Sequence, residues 1–258
     1  MSELKYSPDE LIVAAAARYF EDNKTIFVGT GLPVVATALA QKLYAPNISL
    51  IFEGGAVRPI LSDKYLTYSP NDARSCYKAI MQASSFDVLS FLQRGFIDYG
   101  VISGAQVDQY GNVNTSFIGD YRKPTVKLPG SGGANDIASL ANRILIIMRH
   151  EKRRFVEKVD FITSPGNIDE KGRESHDIIF GKPLAILTNL ALMEYDPQLK
   201  RAKVKALQPG VTLQQLLDNL GFKPIIPEKV EEIAPPTEEE IKTIREIDPR
   251  GVWVKRAK

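Results

Sequence analysis

Residues 25–52 constrain the fold more than any other stretch of this chain. Thr25-Ile-Phe-Val28 is a short apolar run, Gly29-Thr-Gly-Leu-Pro33 a turn, Val34 to Leu43 an alanine-rich helical segment, and Ile48 to Phe52 a second apolar run. A strand, a turn, a helix and a strand in that order call for parallel pairing through a helical crossover. The expectation is an α/β fold: an open, mostly parallel sheet with helices on both faces. Tyr99–Ser103, Ile144–Met148, Phe161–Thr163, Leu184–Thr188, Ala191–Tyr195 and Ala202–Leu207 supply further strands. Ser7-Pro8-Asp9-Glu10 starts a helix running to about Phe20, with a Ser cap, Pro in the first turn and acids near the positive end of the helix dipole. Asp72 to Leu92 reads as largely helical, with an interruption at Ser84-Ser85. Further helices are expected over Asp136–Asn142, Thr212–Leu220 and Thr237–Ile247. From Lys223 onward Pro224, Pro227, Pro235 and Pro236 break the texture and charges dominate. The reading is one domain over 1–222 and an arm over 223–258 that lies on the core or on a partner, with Trp253 buried at the contact.

Glu53 ends the second apolar run, and Gly54-Gly55 follow at once. A carboxylate at a strand end is costly to desolvate unless it is paired or used. Ligands of open α/β sheets bind beyond the carboxyl ends of the strands. Glu53 therefore stands either as a catalytic group or as an acid capping the next turn. Two glycines beside it let backbone N–H groups or a ligand come close. Gly29-x-Gly31 invites a dinucleotide reading, but the third glycine of that fingerprint would fall at Val34. Its plainer reading is a tight strand-to-helix turn. Leu128-Pro-Gly130-Ser-Gly132-Gly133-Ala-Asn-Asp136 places three glycines before a helix, an N–H-rich concavity suited to negative charge rather than a flexible connector. Asn112 and Asn114 alternate with Val113 beyond a turn at Asp108–Gly111.

The bulk numbers exclude several classes. A net charge of +2 over 258 residues gives no reason to expect nucleic acid or an anionic membrane as partner. The single cysteine, Cys76, rules out an intrachain disulfide and fits a reducing, cytoplasmic compartment. No apolar run approaches the length of a membrane span, and Asp9-Glu10 precede the first one where a signal peptide would carry basic residues. With two histidines, His150 and His176, a dedicated catalytic zinc is not expected. Both lie in charged stretches and are read as surface residues. Ser175-His176-Asp177 are adjacent in sequence, which does not give triad geometry.

Three motifs fall in order: Gly29-Thr-Gly-Leu-Pro33, Phe52-Glu-Gly-Gly55 and Gly130-Ser-Gly-Gly-Ala-Asn-Asp136. Together they resemble the β subunit of family I coenzyme A transferases, in the glutaconate and 3-oxoacid branches. Gly104-Ala-Gln-Val-Asp108, Tyr110-Gly-Asn-Val-Asn114 and Gln208-Pro-Gly-Val-Thr212 are similar to segments of the same family, and the resemblance spans about Ser7 to Phe222. It implies a covalent mechanism without a metal or tightly bound cofactor, with coenzyme A as a substrate. Glu53 would attack an acyl-CoA, Gly132 and Gly133 would donate N–H groups to the oxyanion, and a carboxylic acid would accept the CoA. Gly29, Gly31, Gly54, Gly55, Gly130, Asn112 and Asn114 are the expected substrate-binding positions. The resemblance also implies a homologous α subunit. One departure stands out: many relatives carry Ser-Glu-Asn-Gly around the nucleophile, where this chain has Phe52-Glu53-Gly54-Gly55. Hydrolysis of an acyl-CoA, or of a ring in a CoA-bound diketone, is the alternative on the same scaffold. A sugar-phosphate isomerase or ligand sensor is the other, although no Lys or Arg lies within either glycine motif.

Overall fold

A computed structural model describes residues 5–61 and 66–257. The first elements are α1 (Pro8–Ala17), β1 (Thr25–Val28), α2 (Leu32–Leu43), β2 (Ser49–Ile51), β3 (Ala56–Val57), β4 (Met81–Gln82), α3 (Ser85–Gln93) and β5 (Tyr99–Ile102). They are followed by β6 (Gln106–Val107), β7 (Val113–Asn114), β8 (Phe117–Gly119), β9 (Pro124–Lys127), α4 (Ala134–Leu140) and β10 (Arg143–Ile147). The last are β11 (Lys182–Leu187), β12 (Ala191–Tyr195), β13 (Ala202–Leu207), α5 (Leu213–Asp218), β14 (Glu231–Glu232) and α6 (Glu238–Ile247). The chain forms two compact units, one up to Val101 joined by Ala234 onward, the other Ile102–Ile233. This division differs from the expected boundary at 222/223: the last segment returns to the first unit. No helix among the described residues is long and apolar enough to cross a membrane.

In the first unit β1 has two parallel neighbours. Phe27 lies opposite Ile51 of β2 on one side and opposite Gly100 of β5 on the other. The chain leaves β1 through α2 to reach β2, then returns to the opposite flank at β5. The carboxyl end of β1 is therefore a point where strand order reverses, the place where open α/β sheets bind ligands. Beyond β2 the sheet turns antiparallel through the short β3 and β4. The expected α/β class, with helical crossovers between parallel strands, is what the chain adopts.

Helix α1 starts as its sequence dictates. The Ser7 hydroxyl accepts the Glu10 N–H at 3.1 Å, and the Glu10 carboxylate takes the Ser7 N–H at 2.7 Å. Its Ala14–Ala17 stretch is buried, small enough for close packing on α2. The expected arm is here a built part of the first unit. Helix α6 buries Ile241, Ile244 and Ile247 on one stripe against α1 and α2. Glu240 is fully buried beside them and accepts from Arg18 Nε at 2.7 Å, the Tyr44 hydroxyl at 2.7 Å and the Thr237 N–H at 2.7 Å. Burial would raise the Glu240 carboxyl, but those donors, led by Arg18, hold it below its usual value. Trp253 is half-buried and donates its indole N–H to Thr67 O at 3.1 Å.

The segment 72–92 departs from its helical reading. It holds a 3₁₀ turn over Ala73–Cys76, the strand β4, and only then α3, which starts with Ser84 as its cap. Pairing of Met81 with Val57 of β3 fixes the backbone there, a contact the local pattern does not contain. In the second unit β10 and β11 run parallel, β11, β12 and β13 form an antiparallel meander, and β14 adds in parallel to β13. The hairpins β6–β7 and β8–β9 stand apart from that sheet. Phe161–Thr163 is not a strand: Phe161 and Ile162 are exposed, and the N–H groups of Thr163 and Ser164 both reach Val113 O at 3.0 Å.

Candidate active site

Glu53 occupies the tip of the β2–β3 hairpin. Phe52 N–H reaches Ala56 O at 3.0 Å, and Gly55 N–H reaches Phe52 O at 2.9 Å, closing a tight loop over 53–55. Gly55 has a φ of 99°, so the loop is a β-turn followed by a glycine at positive φ, a common hairpin connection. A Cβ on Gly55 would lie 1.9 Å from Ala83 O, so no other residue fits. Glu53 is half-buried, at the carboxyl end of β2 next to the reversal point of β1. Gly29 ends β1 and gives its N–H to Val101 O at 3.2 Å, and Gly31 caps α2 without any side-chain bond. The amides of Gly54 and Gly55 are spent on backbone carbonyls, Pro70 O and Phe52 O. The protein's own chain comes close to these two glycines, at Pro70 and Asn71 for Gly54 and at Ala83 for Gly55.

The second glycine loop lies in the second unit. Gly130 gives its N–H to Thr115 O at 2.8 Å, which anchors the loop, and Ser131 O receives the Ala134 N–H at 3.0 Å as α4 begins. Gly130 and Gly132 both take positive φ, 93° and 50°, and nothing stands within 4 Å of a Cβ built on either. The loop faces open space there. Gly130, Pro129, Thr115, Gly104, Arg153 and Arg154 border a cavity of about 410 Å³. A larger cavity, about 770 Å³, is lined by Gln109, Arg201, Leu217, Phe222 and Lys223 and holds none of the expected site residues.

Two groups of basic residues in this unit carry no sequence signal of their placement. Arg173 is fully buried, and no carboxylate among the described residues bonds to it; its guanidinium donates to Ala138 O at 2.9 Å, Gly166 O at 3.0 Å and Gly181 O. It ties α4 to the start of β11, and burial lowers it to about 10. Arg153 and Arg154 share Glu151, at 2.7 and 3.1 Å. In the sequence Lys152-Arg153-Arg154 shows only as a charge run, the usual mark of a solvated face.

Asn112 and Asn114, expected at substrate-binding positions, are buried to 1% and 0% exposure, with their amides bonded inside the protein. Asn112 donates to Asp108 at 3.0 Å and Ile168 O at 2.9 Å and accepts from Gly166 N–H at 2.9 Å. Asn114 donates to Gln106 Oε1 and Phe117 O, both at 2.7 Å, and accepts from Ser116 N–H at 2.9 Å. They staple the β6–β7 hairpin to its surroundings. His150, expected at the surface, is buried: its ring stacks on Phe155 at 3.8 Å, with Thr188 Oγ1 and Asn219 O at 3.2 and 3.1 Å. Burial lowers it from 6.5 to about 4. His176 is the exposed one, 2.9 Å from Asp169.

In the first unit a carboxylate stands at the carboxyl end of a parallel strand next to a reversal of strand order, and in the second a glycine loop opens onto a cavity. The coenzyme A transferase profile matches residues 10–219, and the chain belongs to that family. Among its relatives, one of the subunits of the 3-oxoadipate CoA-transferase of Pseudomonas knackmussii is 39% identical over 95% of this chain and 94% of that one. The corresponding subunit of the glutaconate CoA-transferase of Acidaminococcus fermentans is 34% identical over 96% and 95%. The crystal structure of that organism's glutaconate enzyme superposes with a TM-score of 0.90 over 97% of this chain and 98% of that one. A cholesterol ring-cleaving hydrolase IpdB subunit of Mycobacterium tuberculosis is 27% identical over 94% and 95%.

Proposed function

We propose that this chain is the β-type subunit of a CoA-transferase that moves CoA between an acyl-CoA and a carboxylic acid through a thioester on Glu53. A carboxylate oxygen of Glu53 attacks the acyl carbon, and CoA leaves as thiolate to give a mixed anhydride. The thiolate then attacks the Glu53 carbonyl, releasing the donor acid and leaving a glutamyl-CoA thioester. The acceptor carboxylate runs the same steps in reverse. The N–H groups of Gly132 and Gly133 stabilise the oxyanion, a contribution typically worth about 3–4 kcal/mol per donor. The acid is a short dicarboxylic acid, as the names of the two nearer relatives suggest. A homologous α-type chain completes the enzyme, in keeping with their subunit names, and the single cysteine goes with a cytoplasmic site of action.

The observation that carries this reading is Glu53 at the hairpin tip beyond β2, half-buried and held in a loop that admits glycine alone at position 55. Glu53→Gln keeps the size and removes the nucleophilic charge. In complex with the α-type chain it is expected to lose transfer while still binding CoA. Borohydride added after acyl-CoA should reduce the thioester and mark the peptide Ile51–Gly55; near-normal transfer by Glu53→Gln refutes the mechanism. The hydrolase reading has one observation in its favour, the ring-cleaving relative. Hydroxylamine separates the two, because only an acylated Glu53 yields a hydroxamate on that residue.

A further inference from the structure

The residue after Glu53 is glycine for a reason that lies elsewhere in the chain. Gly54 gives its N–H to Pro70 O at 3.2 Å. A Cβ built on Gly54 would stand 2.5 Å from Pro70 O and 2.9 Å from both Cα and Oδ1 of Asn71. The turn at 69–72 thus fills the volume that any side chain at position 54 would enter. The side-chain atom in that volume is the carboxamide oxygen of Asn71. A carboxamide thus stands against the Cα of the residue next to Glu53.

The turn is held firmly. Asp72 N–H reaches Ser69 O at 3.0 Å, which places Pro70 and Asn71 at its two central positions. The Asp72 carboxylate accepts the Tyr68 N–H at 3.2 Å and Arg74 Nε at 2.8 Å, and the Arg74 guanidinium covers the Tyr68 ring at 3.9 Å. The Thr67 hydroxyl bonds Ser69 O, and Trp253 holds Thr67 O from the last segment of the chain. Asn71 itself is exposed, and among the described residues its carboxamide has no hydrogen-bond partner. The anchored turn holds this amide in place beside the residue next to Glu53.

We infer that Asn71 supplies, from the 69–72 turn, the carboxamide that position 54 lacks, and that it donates a hydrogen bond to the oxygen of the acyl group being exchanged at Glu53. This rests on the proposed role of Glu53. Asn71→Ala removes the donor, and Asn71→Asp keeps size and turn chemistry while replacing the donor with a charge that repels an anionic acid. Because Asn71 is exposed, both variants should melt within a few degrees of the parent. Measured in complex with the α-type chain, Asn71→Ala should lower kcat for transfer about tenfold to a hundredfold, the lower range for a donor to a developing oxyanion. Asn71→Asp should lower it further, and Asn71→Gln should recover part of the loss. In both impaired variants the borohydride-trapped thioester should form more slowly than in the parent. If Asn71 is only a turn residue, Asp will be tolerated and both variants will keep kcat and KM within about twofold, which overturns the inference. Glu53→Gln is assayed alongside. Loss of transfer there with normal Asn71 variants defeats this inference and leaves the Glu53 reading standing, whereas retained transfer in Glu53→Gln defeats both.

Discussion

His150 gives the chain an acid-sensitive joint whose size follows from the structure. The ring is buried at 8% exposure, stacked on Phe155, with Asn219 O facing Nε2 and Thr188 Oγ1 facing Nδ1. Among the described residues no carboxylate compensates a charge there, so burial lowers its value from 6.5 to about 4, against a smaller raising effect of Asn219 O. The folded chain therefore keeps His150 neutral in a range where the unfolded chain protonates it. Stability from this group is complete above about pH 6.5, falls as the pH drops from 6.5 toward 4, and is constant again below. At about 1.4 kcal/mol per pH unit the full loss amounts to roughly 3 kcal/mol, of which about 2 kcal/mol is gone by pH 5. The strain would fall on the bend at Glu151–Arg154, since His150 and Phe155 stack across it and Arg153 and Arg154 line the cavity beside Gly130. Urea unfolding of the parent and of His150→Gln at pH 7.5 and pH 5 tests this. The variant is less stable at pH 7.5 because packing is lost, but its stability should fall by about 2 kcal/mol less between the two pH values. Proton NMR offers a direct check: the chain has two histidines, and the variant identifies which resonance is His150. A His150 midpoint at or above 6.5, or equal pH dependence in both proteins, refutes the reasoning.

Gly132→Ala should leave the fold intact at a cost of about 1–2 kcal/mol for a non-glycine at a φ of 50°; it keeps the N–H but shifts the loop's preferred backbone, so transfer should fall about tenfold, and turnover equal to the parent's would remove the loop from the mechanism. A valine there adds β-branching to the same strained φ and makes a poorer probe. Arg173→Met leaves the carbonyls of Ala138, Gly166 and Gly181 without their donor, and a loss of about 3 kcal/mol is expected in chemical denaturation, with transfer falling as α4 loosens. Arg18→Ala leaves the fully buried Glu240 without its cationic partner and should cost about 3 kcal/mol, with loosening of the last segment detectable by limited proteolysis; an unchanged melting temperature would show that the ion pair contributes nothing to holding that segment.

The sequence by itself determined whatever depends on neighbours a few residues apart. The starts of α1, α5 and α6 were legible because Ser7, Thr212 and Thr237 bond to groups three residues on. The run β1–α2–β2 was legible because a crossover between parallel strands leaves one local pattern, and with it came Glu53 at the strand end. Tertiary structure decided the rest, because the contacts that settle it join distant residues. Pairing with β3 drew residues 81–82 out of a helix, and Asn112 became a staple through Gly166 and Ile168, more than fifty positions away. His150, in a charged stretch, went inside because Phe155 and Thr188 offered it a stack and a hydroxyl, partners that no spacing in the sequence announces. Gly54 shows the division most clearly. The sequence showed that a side chain was missing beside Glu53, but the reason is steric and non-local: the turn bearing Asn71 already occupies the space.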